Sequence, residues 1–259
     1  MHMKEKSVSV IVPAYNEENT IVKVLSTLVS SKLPNEIICI NDGSTDNTKE
    51  ILKQFKNDIT VINLKENHGK GYALAEGIRK AKGDVLIFLD ADLLNISDTH
   101  LKALLGPILS GEYKAVLGYL VGKSGRSIIS DLTGQRAYYR RDLLAHLKEM
   151  ENTRFGVEIF LNGLYSRKET KKIPLYGLKA PYKYEKNPQT ALNEYLNEGI
   201  EIAKVIAKKR VLPQSDFRIL RELEKMADLK SLEHKVREIS DTEIRDILEK
   251  YILKYIRRM

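Results

Sequence analysis

The first half of this 259-residue chain alternates short apolar runs with stretches whose apolar residues recur at helical spacing. The runs are short enough for buried strands. Alternation of this kind predicts a mostly parallel sheet covered by helices. The predicted strands are Val8–Val12, Glu36–Asn41, Ile59–Leu64, Val85–Leu89 and Lys114–Tyr119, and the predicted helices are Asn19–Ser30, Thr45–Phe55 and Gly71–Lys82.

Polar residues directly follow three of these predicted strands, at residues 13–18, 41–44 and 90–92. Ligands of such sheets bind at the carboxyl ends of the strands, so the three clusters mark the expected site. Asp90 and Asp92 share one face of an extended chain. Two carboxylates there suit a hard divalent cation that bridges the phosphates of a nucleotide. The same pair would also suit a strand end that caps the next helix.

Composition restricts the class of protein. Hydrophobic residues make up 42% of the chain and charged residues 30%, which is typical of a folded globular protein. No stretch approaches the roughly 18 apolar residues of a membrane-spanning helix, and the N-terminus lacks a secretory hydrophobic region. The single cysteine, Cys39, lies in an apolar run and is expected to be buried. One cysteine allows no disulfide within the chain, so we expect an intracellular protein.

The net charge of +8 arises mostly from residues after position 170. Nucleic acid, anionic lipid and anionic substrates are all partners that such a charge attracts. Basic and acidic residues are interspersed rather than clustered, and this pattern disfavours nucleic acid.

After Pro181 the pattern becomes helical, and we place a boundary between an α/β domain at residues 1–187 and a helical extension at residues 188–259. The extension is expected to serve packing, dimerisation or membrane association. Its apolar residues at helical spacing are Leu192, Tyr195, Leu196, Ile200, Ala203 and Ile206, then Ile244, Ile247, Leu248, Tyr251, Ile252 and Tyr255. The last helix adds basic residues to its stripe, namely Lys250, Lys254, Arg257 and Arg258. This suits either an interfacial helix drawn to an anionic membrane surface or a helix packed on the core or on a second subunit of a homodimer.

Four motifs occur in order along the first half: VIVPAYNE at residues 10–17, NDGSTD at 41–46, NHGKG at 67–71 and LDAD at 89–92. Together they resemble the family 2 glycosyltransferases, which have the GT-A (Rossmann-like) fold. The resemblance extends from residue 7 to about residue 176. It implies an α/β fold with a mostly parallel sheet flanked by helices. It also implies transfer of a sugar from a nucleotide-diphosphate donor to an acceptor.

The first two motifs are expected to bind the nucleotide. Pro13 has no amide hydrogen, so we expect the first strand to end there. The resemblance then places Pro13, Ala14, Tyr15 and Glu17 along the nucleotide, with the last three contacting base and ribose. Glu17 would equally suit a helix N-terminus. Asp42 resembles the base-binding aspartate of the family, and its alternative role is that of a turn or cap residue.

The third and fourth motifs are expected to bind the phosphates. Gly69 and Lys70 open a predicted helix, where backbone amides and an ammonium group suit an anion; a solvent-exposed lysine is the alternative. With these neighbours, Asp90, Ala91 and Asp92 form the predicted nucleotide and metal site, for Mg²⁺ or Mn²⁺. Such a cation would stabilise the charge that builds on the departing diphosphate. Asp92 is the preferred direct ligand, and Asp90 reaches the ribose, or the metal through water.

Two later segments resemble narrower groups of the family. Thr133–Tyr138 resembles the Ser-Gly-Gln-Arg-like segment of bacterial and polyprenyl-phosphate-directed members, so Gln135 and Arg136 are catalytic candidates. Arg136 suits a bidentate phosphate clamp or a structural salt bridge. Phe155–Ile159 resembles the Gly-Val-Glu-Ile segment of glycosyl-phosphoglycerate synthases. Glu158 there is a candidate for binding sugar hydroxyls or for general base, and its alternative role is that of an ordinary helix-start glutamate.

The sequence departs from the family pattern in two places. Relatives with the Gly-Val-Glu-Ile segment often carry a histidine after the next strand that completes the metal site, but residues 177–183 contain none. Metal coordination is therefore expected to rest on Asp90, Asp92, phosphate and water. The chain also lacks tryptophan and the Gln-x-x-Arg-Trp signature of processive polysaccharide synthases, which favours transfer of a single sugar.

We therefore expect a metal-dependent transferase that uses a UDP- or GDP-hexose. The expected acceptor is a lipid-linked phosphate or another cell-envelope molecule. The enzyme would act in the cytoplasm, either free or peripheral on the inner face of the membrane. Two alternatives stay open: a soluble glycosyl-3-phosphoglycerate synthase-like transferase acting on a small acid, and a non-catalytic nucleotide-sugar-binding protein.

Overall fold

The computed structural model describes residues 6–122, 125–126, 132–181, 183–186, 191–208, 213–223 and 229–256. The chain divides into two compact units, Met1–Ala180 and Pro181–Met259. Among the described residues, no helix is both long and apolar enough to cross a membrane.

The first unit alternates strands and helices through its first five strands, as the sequence predicts. Its strands are β1 (Val8–Ala14), β2 (Glu36–Asn41), β3 (Thr60–Asn63), β4 (Val85–Phe88), β5 (Ala115–Gly122), β6 (Gly125–Arg126), β7 (Gln135–Tyr139) and β8 (Thr170–Leu175). Its helices are α1 (Ile21–Ser30), α2 (Thr48–Gln54), α3 (Lys70–Lys80), α4 (Asp98–Leu109), α5 (Arg140–Leu143), α6 (Leu147–Glu151) and α7 (Val157–Asn162). Short 3-10 helices occur at Leu144–His146 and Arg154–Gly156.

In the described part of the chain, the eight strands form one mixed sheet in the order β3-β2-β1-β4-β7-β5-β6, with β8 paired to β5. Strands β1 to β4 are mutually parallel, β7 runs antiparallel between β4 and β5, and β8 is parallel to β5. The carboxyl ends of β1, β2, β4 and β8 therefore lie at one edge of the sheet, together with the amino end of β7. The predicted α/β fold with a mostly parallel sheet is confirmed.

Helix α3 lies unusually close to the sheet because of a glycine. A Cβ added to Gly77 would lie 2.5 Å from Cγ2 of Ile11 and 2.9 Å from Cδ1 of Ile40. Both isoleucines are fully buried on strands whose apolar runs lie inside the core. This close packing fixes the height of α3 above β1 and β2, and so the position of Lys70 at its first residue.

The prediction that Pro13 ends the first strand is wrong. Strand β1 continues through Pro13, which pairs with Ile40 of β2, to Ala14. Backbone groups of successive residues point alternately to the two neighbouring strands, and Ile11 bonds toward β4 through the amide of Leu89. Pro13 also faces the β4 side, two residues beyond the point where β4 has ended. A missing amide hydrogen therefore costs no ladder bond there.

Strand β7 is absent from the set of strands predicted from the sequence. Its first four residues are buried, although two of them are the polar Gln135 and Arg136. A central strand with polar residues does not show the apolar run of its neighbours. The partners of these side chains come from distant segments, which the local pattern does not reveal.

The expectation of a buried cysteine is met. Cys39 lies in β2 with no exposed surface, and burial raises the pKa of its thiol to about 12. The thiol is therefore protonated at neutral pH.

The second unit is helical in its described residues, as predicted. Its helices are α8 (Lys183–Lys186), α9 (Ala191–Lys208), α10 (Gln214–Leu223), α11 (Leu229–Arg237) and α12 (Thr242–Ile256). The predicted stripe of α9 is largely buried, including Tyr195, Ile200 and Ala203. Arg257 and Arg258 of the predicted basic face lie outside the described residues.

Candidate active site

A partly buried lysine links two carboxylates at the carboxyl edge of the sheet. The ammonium nitrogen of Lys70 lies 2.6 Å from Oδ1 of Asp90 and 2.7 Å from Oε1 of Glu158. Asp90 follows β4 and Glu158 lies in the first turn of α7, so one ammonium group joins the sheet, α3 and α7. The exposed fractions of the three side chains are 18% for Lys70, 29% for Asp90 and 9% for Glu158. Partial exclusion of water strengthens these ion pairs relative to pairs on the surface.

Electrostatics keep this lysine charged. Burial by itself lowers the pKa of Lys70, but the negative charges of Asp90 and Glu158 and their hydrogen bonds outweigh it. The pKa of Lys70 therefore lies well above its ordinary value. The lysine is thus a permanent cation that neutralises one of the two carboxylates.

The second oxygen of Asp90 is held by β7. Nε2 of Gln135 donates to Oδ2 of Asp90 at 2.7 Å, and the Thr133 hydroxyl donates to Oε1 of Gln135 at 2.6 Å. This contact fixes the orientation of the Gln135 amide. A Cβ added to Gly134 would lie 2.2 Å from Oδ1 of Asp90, so the absence of a side chain at Gly134 makes room for the carboxylate.

Asp42 holds the loop that precedes α3. Its Oδ1 accepts the amide of His68 and its Oδ2 accepts the amide of Gly69, each at 2.8 Å. The Asp42 side chain is almost completely buried. Its carboxylate thus fixes the start of the helix that carries Lys70, and the imidazole of His68 stacks on Tyr72 with ring centroids 4.5 Å apart.

The two glycines around Lys70 permit a close approach of the chain before α7. A Cβ on Gly69, whose φ is +92°, would lie 2.9 Å from Cβ of Arg154, and one on Gly71 would lie 2.2 Å from Oγ1 of Thr153. Thr153 is anchored by a 2.6 Å hydrogen bond from its hydroxyl to the carbonyl of Met150. The Gly-Lys-Gly motif therefore brings α7, and with it Glu158, against the start of α3.

Arg136 is buried, with 1% of its surface exposed. Its Nε donates to the carbonyl of Thr133 at 2.6 Å, and one terminal nitrogen donates to the Tyr138 hydroxyl at 3.0 Å and to Oδ1 of Asn162 at 2.7 Å. The geometry favours a structural role that ties β7 to α7, and the phosphate clamp stays a prediction.

The segment after β1 lies at the same edge. Tyr15 is 43% exposed and Ala14 is buried. The Glu17 carboxylate accepts the Thr20 hydroxyl at 2.7 Å, and the Glu17 carbonyl accepts the amides of Thr20 and Ile21 at the start of α1. This contact pattern corresponds to the helix-start role of Glu17, and the nucleotide contacts of Ala14, Tyr15 and Glu17 stay predictions.

The chemistry of the donor set decides whether a divalent cation fits. The described residues contain no cluster of three or more His, Cys, Asp or Glu side chains that could hold a metal ion. Asp90 is hydrogen-bonded through both oxygens, and Asp92 is partly exposed at the same edge. Mg²⁺ typically keeps several waters and binds through one or two carboxylates plus substrate phosphates, so Asp92 fits a cation that arrives with a nucleotide.

Arg154 belongs to the site although its place in the sequence does not nominate it. Arg154 lies against Gly69, and its Nη2 lies 3.3 Å from Oδ1 of Asn67. Its only sequence signal is its place two residues before Gly156 of the Gly-Val-Glu-Ile segment. The position next to Gly69 follows from tertiary packing.

Comparison with known proteins is consistent with this geometry. A poly-β-1,6-N-acetyl-D-glucosamine synthase of Staphylococcus epidermidis is 43% identical over 94 residues, which are 35% of this chain and 23% of that protein. The corresponding synthase of Staphylococcus aureus is 41% identical over 92 residues, which are 34% of this chain and 22% of that protein. The chain thus matches about a quarter of the length of these curated relatives.

Solved structures show the same fold. Glucosyl-3-phosphoglycerate synthase of Mycobacterium tuberculosis, in complex with phosphoglyceric acid, matches with a TM-score of 0.56 and 23% identity, covering 74% of this chain and 80% of that chain. The structure of that enzyme with Mn²⁺, UDP-glucose and phosphoglyceric acid also matches with a TM-score of 0.56 and 23% identity, covering 74% and 79%. Likeness at this identity establishes the GT-A fold.

The family model described as Glycosyl transferase family 2 matches residues 9–184, which include every nominated site residue. The match covers well over half of the chain and agrees with the four motifs. The chain therefore belongs to glycosyl transferase family 2, and the class of enzyme predicted from its motifs is confirmed at the level of the family.

Proposed function

We propose that this protein transfers a single hexose from a UDP- or GDP-sugar to an acceptor, with the help of Mg²⁺ or Mn²⁺. The observation that carries the proposal is the junction of Lys70 with Asp90 and Glu158, beside Asp92. Three separate segments, namely α3, the chain after β4 and α7, supply these side chains to one edge of the sheet. Ligands of open α/β sheets bind at that edge.

In the reaction, an acceptor oxygen attacks the anomeric carbon of the sugar. The bond from that carbon to the diphosphate oxygen breaks, the nucleoside diphosphate leaves, and the acceptor proton passes to a base or to water. Negative charge grows on the departing diphosphate, so groups that face this charge lower the barrier.

We assign Asp92 as the residue that would hold the cation. The cation, when bound, supplies positive charge at the diphosphate oxygens. Asp90 is the orienting carboxylate of the pair because Lys70 and Gln135 fix both of its oxygens. Fixed geometry of this kind reduces the reorganisation needed during transfer.

We assign Glu158 to the sugar hydroxyls rather than to general base. Its Oε1 lies 2.7 Å from the ammonium nitrogen of Lys70 and accepts a hydrogen bond from it, so this oxygen is not open to the proton of an acceptor hydroxyl. Asp42 serves the nucleotide by fixing the loop before α3, and the exposed ring of Tyr15 offers a surface on which the base can stack.

For the acceptor we propose a lipid-linked phosphate at an anionic membrane surface, with the basic residues of the C-terminal helices drawn to the lipid. The small-acid alternative is supported by the fold of glucosyl-3-phosphoglycerate synthase, which binds phosphoglyceric acid. Co-sedimentation with anionic vesicles separates the two acceptors, because only the first requires the full chain to bind the vesicles. Cytoplasmic location and a homodimer belong to the same proposal.

The proposal is tested by thermal-shift titration of UDP, GDP and their hexose derivatives, with and without Mn²⁺. A ligand that binds the folded state raises the melting temperature. We expect stabilisation by one of the two diphosphates that increases with Mn²⁺, and nucleotide release when acceptor is added. No stabilisation by any nucleotide would contradict the proposal. Binding without release in the presence of both acceptor classes would favour a non-catalytic binding protein.

A further inference from the structure

Three non-glycine residues of the described chain have a positive φ: Asn16 (55°), Asn95 (63°) and Arg154 (47°). Asparagine adopts the left-handed region readily because its short side chain can bond to the local backbone. Arginine gains no such compensation. The conformation of Arg154 is therefore strained, and strain of this kind persists only where the surrounding structure enforces it.

The contacts around Arg154 enforce the conformation. The amide of Gly156 donates to the carbonyl of Thr153 at 2.7 Å, which closes a tight turn around Arg154. Gly69 and Gly71 have no side chains to oppose this turn, and a Cβ on either would collide with it. The turn is thus built into the same motif that positions Lys70.

The strained turn leaves an exposed guanidinium group at the carboxyl edge of the sheet. Arg154 is exposed, and its Nη2 lies 3.3 Å from Oδ1 of Asn67. Two further basic residues belong to this region of the site: Lys70 bonds Asp90 and Glu158, and Arg136 is buried against Thr133, Tyr138 and Asn162.

We infer that Arg154 binds an oxyanion of a substrate phosphate group, and that its strained backbone is kept for this contact. The inference rests on the proposed function, which brings a diphosphate or an anionic acceptor to this edge. Guanidinium groups match phosphate oxygens in planar geometry and stay charged at all working pH values. The phosphate is that of the donor diphosphate or that of an acidic acceptor.

The first test compares Arg154→Gln with Arg167→Gln by calorimetry. Arg167 is an exposed arginine that precedes β8, at the opposite edge, so its substitution makes the same charge change away from the site. The probes are UDP, GDP, uridine, guanosine and phosphoglyceric acid. We expect Arg154→Gln to lower the affinity for a phosphate-bearing probe about 10- to 100-fold and to leave the affinity for the nucleosides unchanged. Arg167→Gln should bind every probe as the wild type does.

The arms of this test identify the phosphate. Weaker binding of UDP or GDP assigns Arg154 to the donor, and weaker binding of phosphoglyceric acid alone assigns it to the acceptor. Unchanged affinities for all probes, or equal losses for nucleoside and diphosphate, would overturn the inference while leaving the proposed function intact. A wild-type protein that binds none of the probes would overturn the proposed function and the inference together.

The second test uses Arg154→Gly and Arg154→Asn, which relieve the backbone strain. We expect the melting temperature to rise by about 2–4 °C, because residues suited to a positive φ replace one that is not. The same variants should lose phosphate affinity to the extent of Arg154→Gln. If both variants lower the melting temperature, Arg154 is a structural residue and the inference is wrong.

Discussion

Each of the two units of the chain contains an aspartate whose two carboxylate oxygens both accept hydrogen bonds, but the donors differ in kind. In the first unit, Asp90 is bonded by the side chains of Lys70 and Gln135, which come from distant segments. In the second unit, Asp216 of α10 is fully buried and accepts the backbone amides of Ser240 and Asp241, just before α12.

The difference indicates what each carboxylate does. Backbone amides at a helix start are fixed donors, so Asp216 ties α10 to the start of α12 and serves stability. A charged side chain can instead exchange partners when a ligand arrives. Asp90 and Glu158 both pair with Lys70, and Asp92 adds a further carboxylate at the same edge. We therefore expect substitutions around Asp90 to affect catalysis, and substitution of Asp216 to affect folding.

The largest expected effect is that of Asp92→Asn. The variant removes the charge of the proposed metal ligand, so the turnover number for sugar transfer should fall about 100- to 1,000-fold. Calorimetry should also show that UDP or GDP binding no longer responds to Mn²⁺. Asp98→Asn, an exposed residue in the first turn of α4, is the matched control and should behave as the wild type. Full transfer activity in Asp92→Asn would remove the basis for a metal at this edge.

Lys70→Met should have the next largest effect. It leaves Asp90 and Glu158 without their shared cation, and we expect transfer to slow about 10- to 100-fold with a loss of about 1–3 kcal/mol in the free energy of unfolding. Kinetics and urea denaturation measure the two quantities. Lys53→Met removes the lysine of an exposed ion pair with Glu50 and should change neither. An active Lys70→Met protein would show that the junction of the three residues is not part of the site.

Asp216→Asn is expected to lower stability and to leave the site unaffected, unlike the two substitutions above. Burial alone raises the pKa of Asp216, but the amides of Ser240 and Asp241 outweigh it and hold the pKa below its ordinary value of 3.8. The stabilisation is therefore present above pH 3.8 and is lost as the pH falls through the lower folded value. The free energy of unfolding of the variant should be about 1–3 kcal/mol lower at neutral pH, and it should fall less steeply as the pH is lowered. Nucleotide affinity should be unchanged. Weaker nucleotide binding with unchanged stability would contradict the comparison.

The smallest effect should come from Glu169→Gln. Hydrogen bonds from Lys114 and from Ser166 lower the pKa of Glu169 to about 2, yet the residue is exposed to solvent and salt. Exposed ion pairs contribute little to stability, so we expect no measurable change in melting temperature at neutral pH. A shift as large as that of Asp216→Asn would show that a strong pair alone, without burial, is enough to stabilise this fold.

The sequence predicted most of the sheet edge because the rule for parallel strands depends only on strand order. It nominated Asp42, Asp90 and Gln135, and the structure places Gln135 against Asp90 and Asp42 beside Gly69. The sequence pattern ends the first strand before Pro13, whereas β1 continues to Ala14. Proline is tolerated there because β4 has already ended, and where β4 ends relative to β1 depends on tertiary structure.

The two carboxylate partners of Lys70 could not be predicted from the sequence, for a similar reason. An ammonium group at a helix start suits an anion from a ligand. The residues around Lys70 in the sequence do not indicate that the negative charge comes from Asp90 and Glu158 of the protein itself. The glycines of the same motif were read as an anion site, whereas the structure uses them for contact with Thr153 and Arg154. Close approaches between distant segments leave no periodic signal in a sequence.

The burial of Cys39 has a practical consequence for experiments on this protein. The chain contains a single cysteine. Because its thiol is buried and protonated, it should not react with alkylating dyes. A cysteine introduced at Glu66, whose side chain is 78% exposed in the loop before α3, would then carry a fluorophore at one defined position. Fluorescence from that position would follow nucleotide arrival in real time, without any background labelling to remove first.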